Sequence, residues 1–509
     1  MDLFIALLPA IVLIILVITT RKVMLSLSVG VILAALIQFS FNPIKAGEYL
    51  FVNLFGILTS WDWYLPILGF VVLIGGITSV ITLTGGVKAF ANWSVSKVKS
   101  PKAAKMLAWF LGILIFIDDY FNALVIGEIT KPITDKYRVS RANLSYIIDS
   151  TSAPVVILMP LSTWGGYILG IIGDSFNDVG YQGHTAIGAF VAAIPFQFYP
   201  ITALIMVFVS IQFKMSFGMM RKFEISAING NDESMMALDQ SVPEEEIHGE
   251  HASHWNLILP IIVLIFMTLF MMLVNAKFVF TEFLNQEITL PLLVGGLSAF
   301  VVSLIFAFSD KAIKPNKIGE VAGKGMYSML KSAVFILVLA WLLSTAIQDL
   351  NVGDLVAEYI IEINLNADFL PFILFFIAGG LAFSTGTSWG AFGVLLPIAI
   401  PIAAATDPAL MPLMIASVLG GAVFGDHSSP VSDTTVLSAT GARSSLHAHF
   451  ISQLPYAFTS AIIAALGYLL YALTGIVYLS YILIIILMIL LVKIYKTIED
   501  EPLDYEIKT

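Results

Sequence analysis

Gly425-Asp426-His427-Ser428-Ser429-Pro430-Val431-Ser432-Asp433-Thr434-Thr435 is the stretch whose reading decides the fold. Two carboxylates, one imidazole and five hydroxyls stand between an apolar run at 408–424 and a weaker one from Val436 onward. In a soluble protein this would be a surface loop. In a membrane protein, polar groups between apolar half-helices are costly and mark an ion or substrate site. The rest of the chain decides which context applies.

Of 509 residues, 58% are hydrophobic and 12% charged, against about a quarter charged in soluble domains. This is a membrane composition. The absence of cysteine excludes disulfides, thiolate metal sites and cysteine catalysis. No Walker A or GxGxxG–acid fingerprint occurs, so neither an ATP-driven pump nor a dinucleotide enzyme is supported, and nothing points to nucleic acid or a bound cofactor. The first apolar run, 3–19, lacks a basic n-region and is followed by Arg21-Lys22, which reads as a span rather than a cleaved signal.

A crossing helix takes about 20 apolar residues, and apolar runs between 3–19 and 477–495 give an all-α polytopic protein of about 12 spans. Two runs, 119–134 and 370–405, are interrupted by Gly, Pro and polar residues. They read as re-entrant hairpins, which survive at membrane depth only when covered by protein or lining a wet cavity. With the N-terminus outside and the C-terminus cytoplasmic, all of the 25 Lys and Arg except Lys45 and Lys277 fall on the inner side, as the positive-inside rule requires of an inner (plasma) membrane protein.

The chain then divides into 1–213, a cytoplasmic linker at 214–254, 255–474, and a final span and tail at 475–509. The linker carries Glu244-Glu245-Glu246 among other acids and reads as disordered or loosely ordered, with a regulatory role as the alternative. The two large units resemble each other weakly. Lys45-Ala46-Gly47-Glu48 parallels Lys317-Ile318-Gly319-Glu320, each opening an interfacial amphipathic helix. Asp149-Ser150-Thr151-Ser152-Ala153-Pro154 parallels Asp426-His427-Ser428-Ser429-Pro430, Ser162 meets Ser438, and Ile194-Pro195-Phe196 parallels Leu454-Pro455-Tyr456. The same order begun on opposite faces is an inverted-topology repeat, each unit holding one hairpin and one interrupted helix (about 142–173 and about 408–442), with its site near the midplane.

Four polar features fall in that site: Asp118-Asp119 with Asn122; a helix break at Asp149 to Pro154 bearing Ser150, Thr151 and Ser152; the neutral tip with Thr385, Thr387 and Ser388; and the opening stretch with Asp426, His427, Ser428, Ser429, Asp433 and Thr434. Freed carbonyls, hydroxyls and carboxylates suit a hard cation. A buried Asp that holds either Na⁺ or H⁺ couples the two gradients by competition. Asp433 is the first choice, then Asp149 and Asp426, either of which reads equally as a helix cap. Asp433, Asp149 and Ser429 are the expected Na⁺ ligands. One of Asp118 and Asp119 serves the site and the other the structure; Glu128 is a ligand or faces the inner mouth; His427 is a proton relay or a hydrogen-bonded structural residue. Trp164 and Trp389 read as packing residues. His447 and His449 lie in a loop without a matching carboxylate cluster, while His248, His251 and His254 offer at most an adventitious metal site.

The opening stretch, with Asp118-Asp119-Tyr120-Phe121-Asn122 and Thr387-Ser388-Trp389-Gly390, closely resembles the signature of the NhaC-type sodium/proton antiporter family of the ion-transporter superfamily. The resemblance covers the membrane part and leaves out the acidic loop and the tail after Lys496. It implies a secondary transporter rather than an enzyme, a homodimer, and an elevator-like motion of hairpins and interrupted helices against a scaffold. Similar members include Na⁺/H⁺ antiporters, a malate/lactate exchanger that also carries Na⁺ and H⁺, and amino-acid uptake systems, so a small organic substrate beside the cation is the alternative.

Overall fold

The computed structural model describes residues 3–498 except 21, 62, 96–97, 236–251, 280–282, 284–287, 364–365 and 431. Among them there is no β-strand; one isolated bridge joins Met235 to Ser444. Eight helices are long and apolar enough to cross a membrane, or nine if a bent pair counts as one span. The expected twelve also include shorter apolar helices such as Leu3–Leu16, Met24–Gln38 and Phe335–Asp349.

Two helical hairpins and two broken helices position the site. Ser100 caps Pro101–Leu114, accepting from the Ala103 N–H at 3.1 Å, with proline at the first position where its missing donor costs nothing. The chain turns through 115–118 into Asp119–Lys136. The first hairpin therefore spans 101–136, and 119–134, expected to be the hairpin by itself, is one continuous arm. Proline at 132 is tolerated inside it. The run 370–405 forms a second helical hairpin, Leu370–Thr385 and Ser388–Thr406. Its tip turns at Gly386, whose φ of 71° favours glycine.

The first broken helix is Arg141–Val156 then Thr163–Val179. Its break lies at 157–162, not at Asp149 to Pro154, which remain helical. Pro154 removes one backbone donor in the last turn, where buried neighbours sustain the helix. Pro160 lies inside the break and disfavours the helical region for Met159 before it, so the helix does not resume until Thr163. The second is Met411–His427 then Asp433–Ala442, broken at 428–432 as expected. The half-helices after the breaks start at capping serines Ser162 and Ser432, so Ser162 has Ser432, not Ser438, as its structural counterpart. The proline parallel does not carry over either: Pro195 sits in a 3₁₀ turn, whereas Pro455 lies within the continuous helix Leu446–Thr474.

The units interlock. A Cβ on Gly127 would lie 2.3 Å from the Gly441 carbonyl, so the first hairpin's second arm crosses the half-helix after the second break nearly backbone to backbone. That crossing sets Tyr120 beside Asp433.

The start of the acidic linker is ordered. Met219–Ile228 is a helix that buries Met220, Phe223, Glu224 and Ala227. Glu224 accepts from Lys105 at 2.7 Å and from the Ser140 hydroxyl at 2.7 Å. The acids farther on dominate the average composition and hide this apolar face. The segment 236–251, with His248 and His251, and the tail after 498 lie outside the described residues.

Candidate functional site

Both hairpin tips and the second break enclose a cavity of about 320 Å³, lined by Asp118, Asp119, Tyr120, Met329, Ile336, Thr385, Gly386, Thr387, Trp389 and Asp433. The helical geometry supplies it in three ways. Asp118 caps the second arm of hairpin one: one oxygen accepts from the Phe121 N–H at 2.8 Å, the other from the Thr163 hydroxyl at 3.1 Å. Both of its oxygens are thus engaged by the fold. Asp119, 1% exposed, accepts from the Trp164 indole at 3.0 Å through Oδ1, while Oδ2 is buried without a hydrogen-bond partner. Asp433, at the start of its half-helix, accepts from the Tyr120 hydroxyl and from the Thr434 N–H.

Behind the cavity Asp426 is held by hydroxyls. Ser388 donates to Oδ2 at 2.8 Å, and Ser432 donates to Oδ1 at 2.5 Å with Thr434 farther off at 3.4 Å. Hairpin tip and break are thereby tied to one carboxylate. Ser428 and Ser429 do not point to this group; their hydroxyls donate to the carbonyls of Phe424 and Phe383, both at 2.7 Å. Asn122 likewise serves the fold, its amide closing the first tip on the carbonyls of Gly112 and Ile115. Ser152 donates to the Asp119 carbonyl at 2.7 Å, and Thr151 to its own helix. Thr385 donates back to Leu381, leaving its oxygen free to accept. The side chain of Glu128 lies outside the described residues.

Asp149 belongs to a separate cluster. Fully buried in its helix, it accepts from Gln453 at 2.6 Å, with His449 Nε2 3.2 Å away. Gln453 also donates to the His427 carbonyl at 2.6 Å. His427 bridges Ser150 at 3.0 Å and Tyr199 at 2.7 Å through its two ring nitrogens. The three expected Na⁺ ligands are thus not brought to one cavity: Asp433 lines it, Asp149 is taken by an imidazole–amide network, and the Ser429 hydroxyl ties the break to hairpin two. Among the described residues no group of three His, Cys, Asp or Glu is arranged to hold a metal; His254 packs against Trp255.

Reading residues one by one missed Tyr120, Trp164, Ser432, His449 and Gln453. His449 lies in the helix Leu446–Thr474, not in a loop. The signal was there: His449, Ser452, Gln453 and Ser460 recur at helical spacing within an apolar span, and all are buried. Trp164 packs edge-on to Trp389 at 5.8 Å, as expected, but also supplies a hydrogen bond to Asp119.

A family model described as Na⁺/H⁺ antiporter family matches residues 155–473. A protein of Haemophilus influenzae without assigned function is 37% identical over 92% of this chain and 90% of its own. The malate-2H⁺/Na⁺-lactate antiporter of Bacillus subtilis is 31% identical over 37% of this chain and 40% of its own. Among solved structures, the YdaH transporter of Alcanivorax borkumensis superposes with a TM-score of 0.56 at 13% identity, over 85% of this chain and 90% of that one. That likeness is one of fold.

Proposed function

This chain belongs to the Na⁺/H⁺ antiporter family, and we propose that it exchanges Na⁺ for H⁺ by alternating access across a bacterial-type inner membrane. The observation that carries this reading is the cavity in which Asp119 and Asp433, from different units, meet between the two hairpin tips. A sodium ion takes oxygen ligands. The carboxylates of Asp433 and Asp119 and the hydroxyls of Thr385 and Thr387 supply them. A proton on Asp433 removes the charge that holds Na⁺, so the carboxylate carries one ion or the other. Asp426 stands behind as a second acid, and Asp149 with His449 as a third proton-binding group. No cofactor is needed.

The sequence hairpin then broken helix occurs twice, and Pro43–Thr59 and Pro315–Met329 share Pro-x-Lys-x-Gly-Glu at their starts. Both features support an inverted repeat with re-entrant hairpins, and the distribution of Lys and Arg supports an N-terminus outside. Hairpins and broken helices move against the remaining helices, in a homodimer, as an elevator. In vesicles of purified protein, Na⁺ addition is expected to move protons without organic solute, and Asp433→Asn to stop it. Unchanged flux in the variant removes Asp433 from the site.

The second reading is Na⁺-coupled transport of a small organic acid or amino acid. It is favoured by the likeness to the Bacillus malate/lactate antiporter. Na⁺-dependent lactate uptake with no Na⁺-driven proton movement would establish it.

A further inference from the structure

We infer that the cavity between the hairpin tips takes a small primary amine, in its ammonium form, at the place where Na⁺ binds. This deepens the transporter reading and rests on it. Size is the first ground. At about 320 Å³ the cavity falls in the range of small-molecule sites, roughly 300–1,000 Å³, whereas a water's share of the liquid is about 30 Å³. A lone ion leaves most of it to solvent.

Charge is the second. Three carboxylates line the cavity, and no Lys, Arg or His is among the lining residues. An anionic substrate would meet acids with no fixed counter-charge, and a buried unpaired charge is costly. The carboxylates are not equivalent. Both oxygens of Asp118 are occupied by Phe121 and Thr163, and Asp433 is engaged by Tyr120 and Thr434. Asp119 Oδ2 is buried and lacks a donor. An ammonium group carries three donors and no acceptor, which suits a wall that offers carboxylates together with the Thr385 and Thr387 hydroxyls.

The wall is the third. Tyr120 and Trp389 face the cavity with Met329 and Ile336. Aromatic faces attract cations, and the aliphatic side chains suit a hydrocarbon body that Na⁺ does not have. Trp389 is held firmly: Tyr167 packs edge-on at 4.8 Å and donates to its carbonyl at 3.0 Å. Met329 and Ile336 flank a five-residue π-helix, Leu330–Val334, and such segments occur frequently at functional sites.

The test is exchange of radioactive Na⁺ in vesicles of the full chain at equal pH on both faces, where permeating neutral amine cannot act through a pH difference. n-Butylamine hydrochloride is expected to inhibit half of the exchange within about tenfold of the Na⁺ half-saturation, and Met329→Trp, which fills the cavity, to raise that concentration at least about tenfold relative to Na⁺. Potassium lactate and potassium malate are expected to do nothing. Na⁺ exchange untouched by n-butylamine at roughly a hundredfold excess, or inhibited by lactate or malate instead, overturns the inference and leaves a hydrated cation as the occupant. If wild type exchanges no Na⁺, the antiport reading fails on its own. Calorimetric titration of n-butylamine into the purified protein then decides this inference: saturable heat supports it and its absence overturns it.

Discussion

The two hairpin tips are joined to their broken helices by the same kind of bond with donor and acceptor exchanged. In the first unit the acids stand on the hairpin, Asp118 and Asp119, and the donors follow the break, Thr163 and Trp164. In the second the hairpin supplies the donor, Ser388, and the last turn before the break supplies the acid, Asp426. One arrangement is closed by a capping bond within hairpin one, since Asp118 also satisfies the Phe121 N–H. In the other the capping residue is a hydroxyl, Ser432, which accepts from the Thr435 N–H and donates to Asp426. The comparison teaches that the two units are not equal halves of the candidate site. The first places its acids on the hairpin; the second places its acid on the broken helix.

The largest expected effect breaks or upholds that asymmetry directly. Asp426→Asn should lower Na⁺-dependent flux by on the order of a hundredfold, the upper end for loss of a supporting ligand, whereas Asp118→Asn should leave it within several-fold. Flux measured side by side in vesicles decides, and equal losses would mean that the first tip binds the ion as directly as the second break. Next, Ser388→Ala takes a donor from Asp426 and should weaken apparent Na⁺ affinity by about 10-fold, read from half-saturation. Trp164→Phe keeps the ring contact with Trp389 and removes only the N–H on Asp119. One hydrogen bond contributes about 0.5–1.5 kcal/mol net, so half-saturation should shift by roughly tenfold or less. The smallest effect is on stability: Thr163→Val deletes the hydroxyl on Asp118 and should cost about 1 kcal/mol in detergent unfolding, with Na⁺ affinity unchanged. A changed affinity would place Asp118 in the ion site after all.

Much of this was legible in the chain. The opening stretch, the two hairpin tips and the second break follow from polar residues in apolar runs, because such residues are excluded from lipid unless they have work or partners. The first break was misplaced because Pro154 looked like the interruption, and whether a proline breaks a helix depends on what is packed around it. The linker's first helix was hidden because its buried face is short and its neighbours are acidic. Asp149 was drawn to the cation site by its likeness to Asp426, but its partners His449 and Gln453 lie 300 and 304 residues away.

By itself, then, the sequence determined that the chain is helical and membrane-embedded and which polar groups had to be buried; hydropathy and charge are local, and the bilayer acts on each segment separately. Tertiary structure alone decided which acid faces the cavity, which one caps a helix and which one is paired through one oxygen with imidazole and amide. Those assignments depend on helices that cross at Gly127 and Gly441, more than 300 positions apart, and a carboxylate's role is set by the donors that packing brings to it.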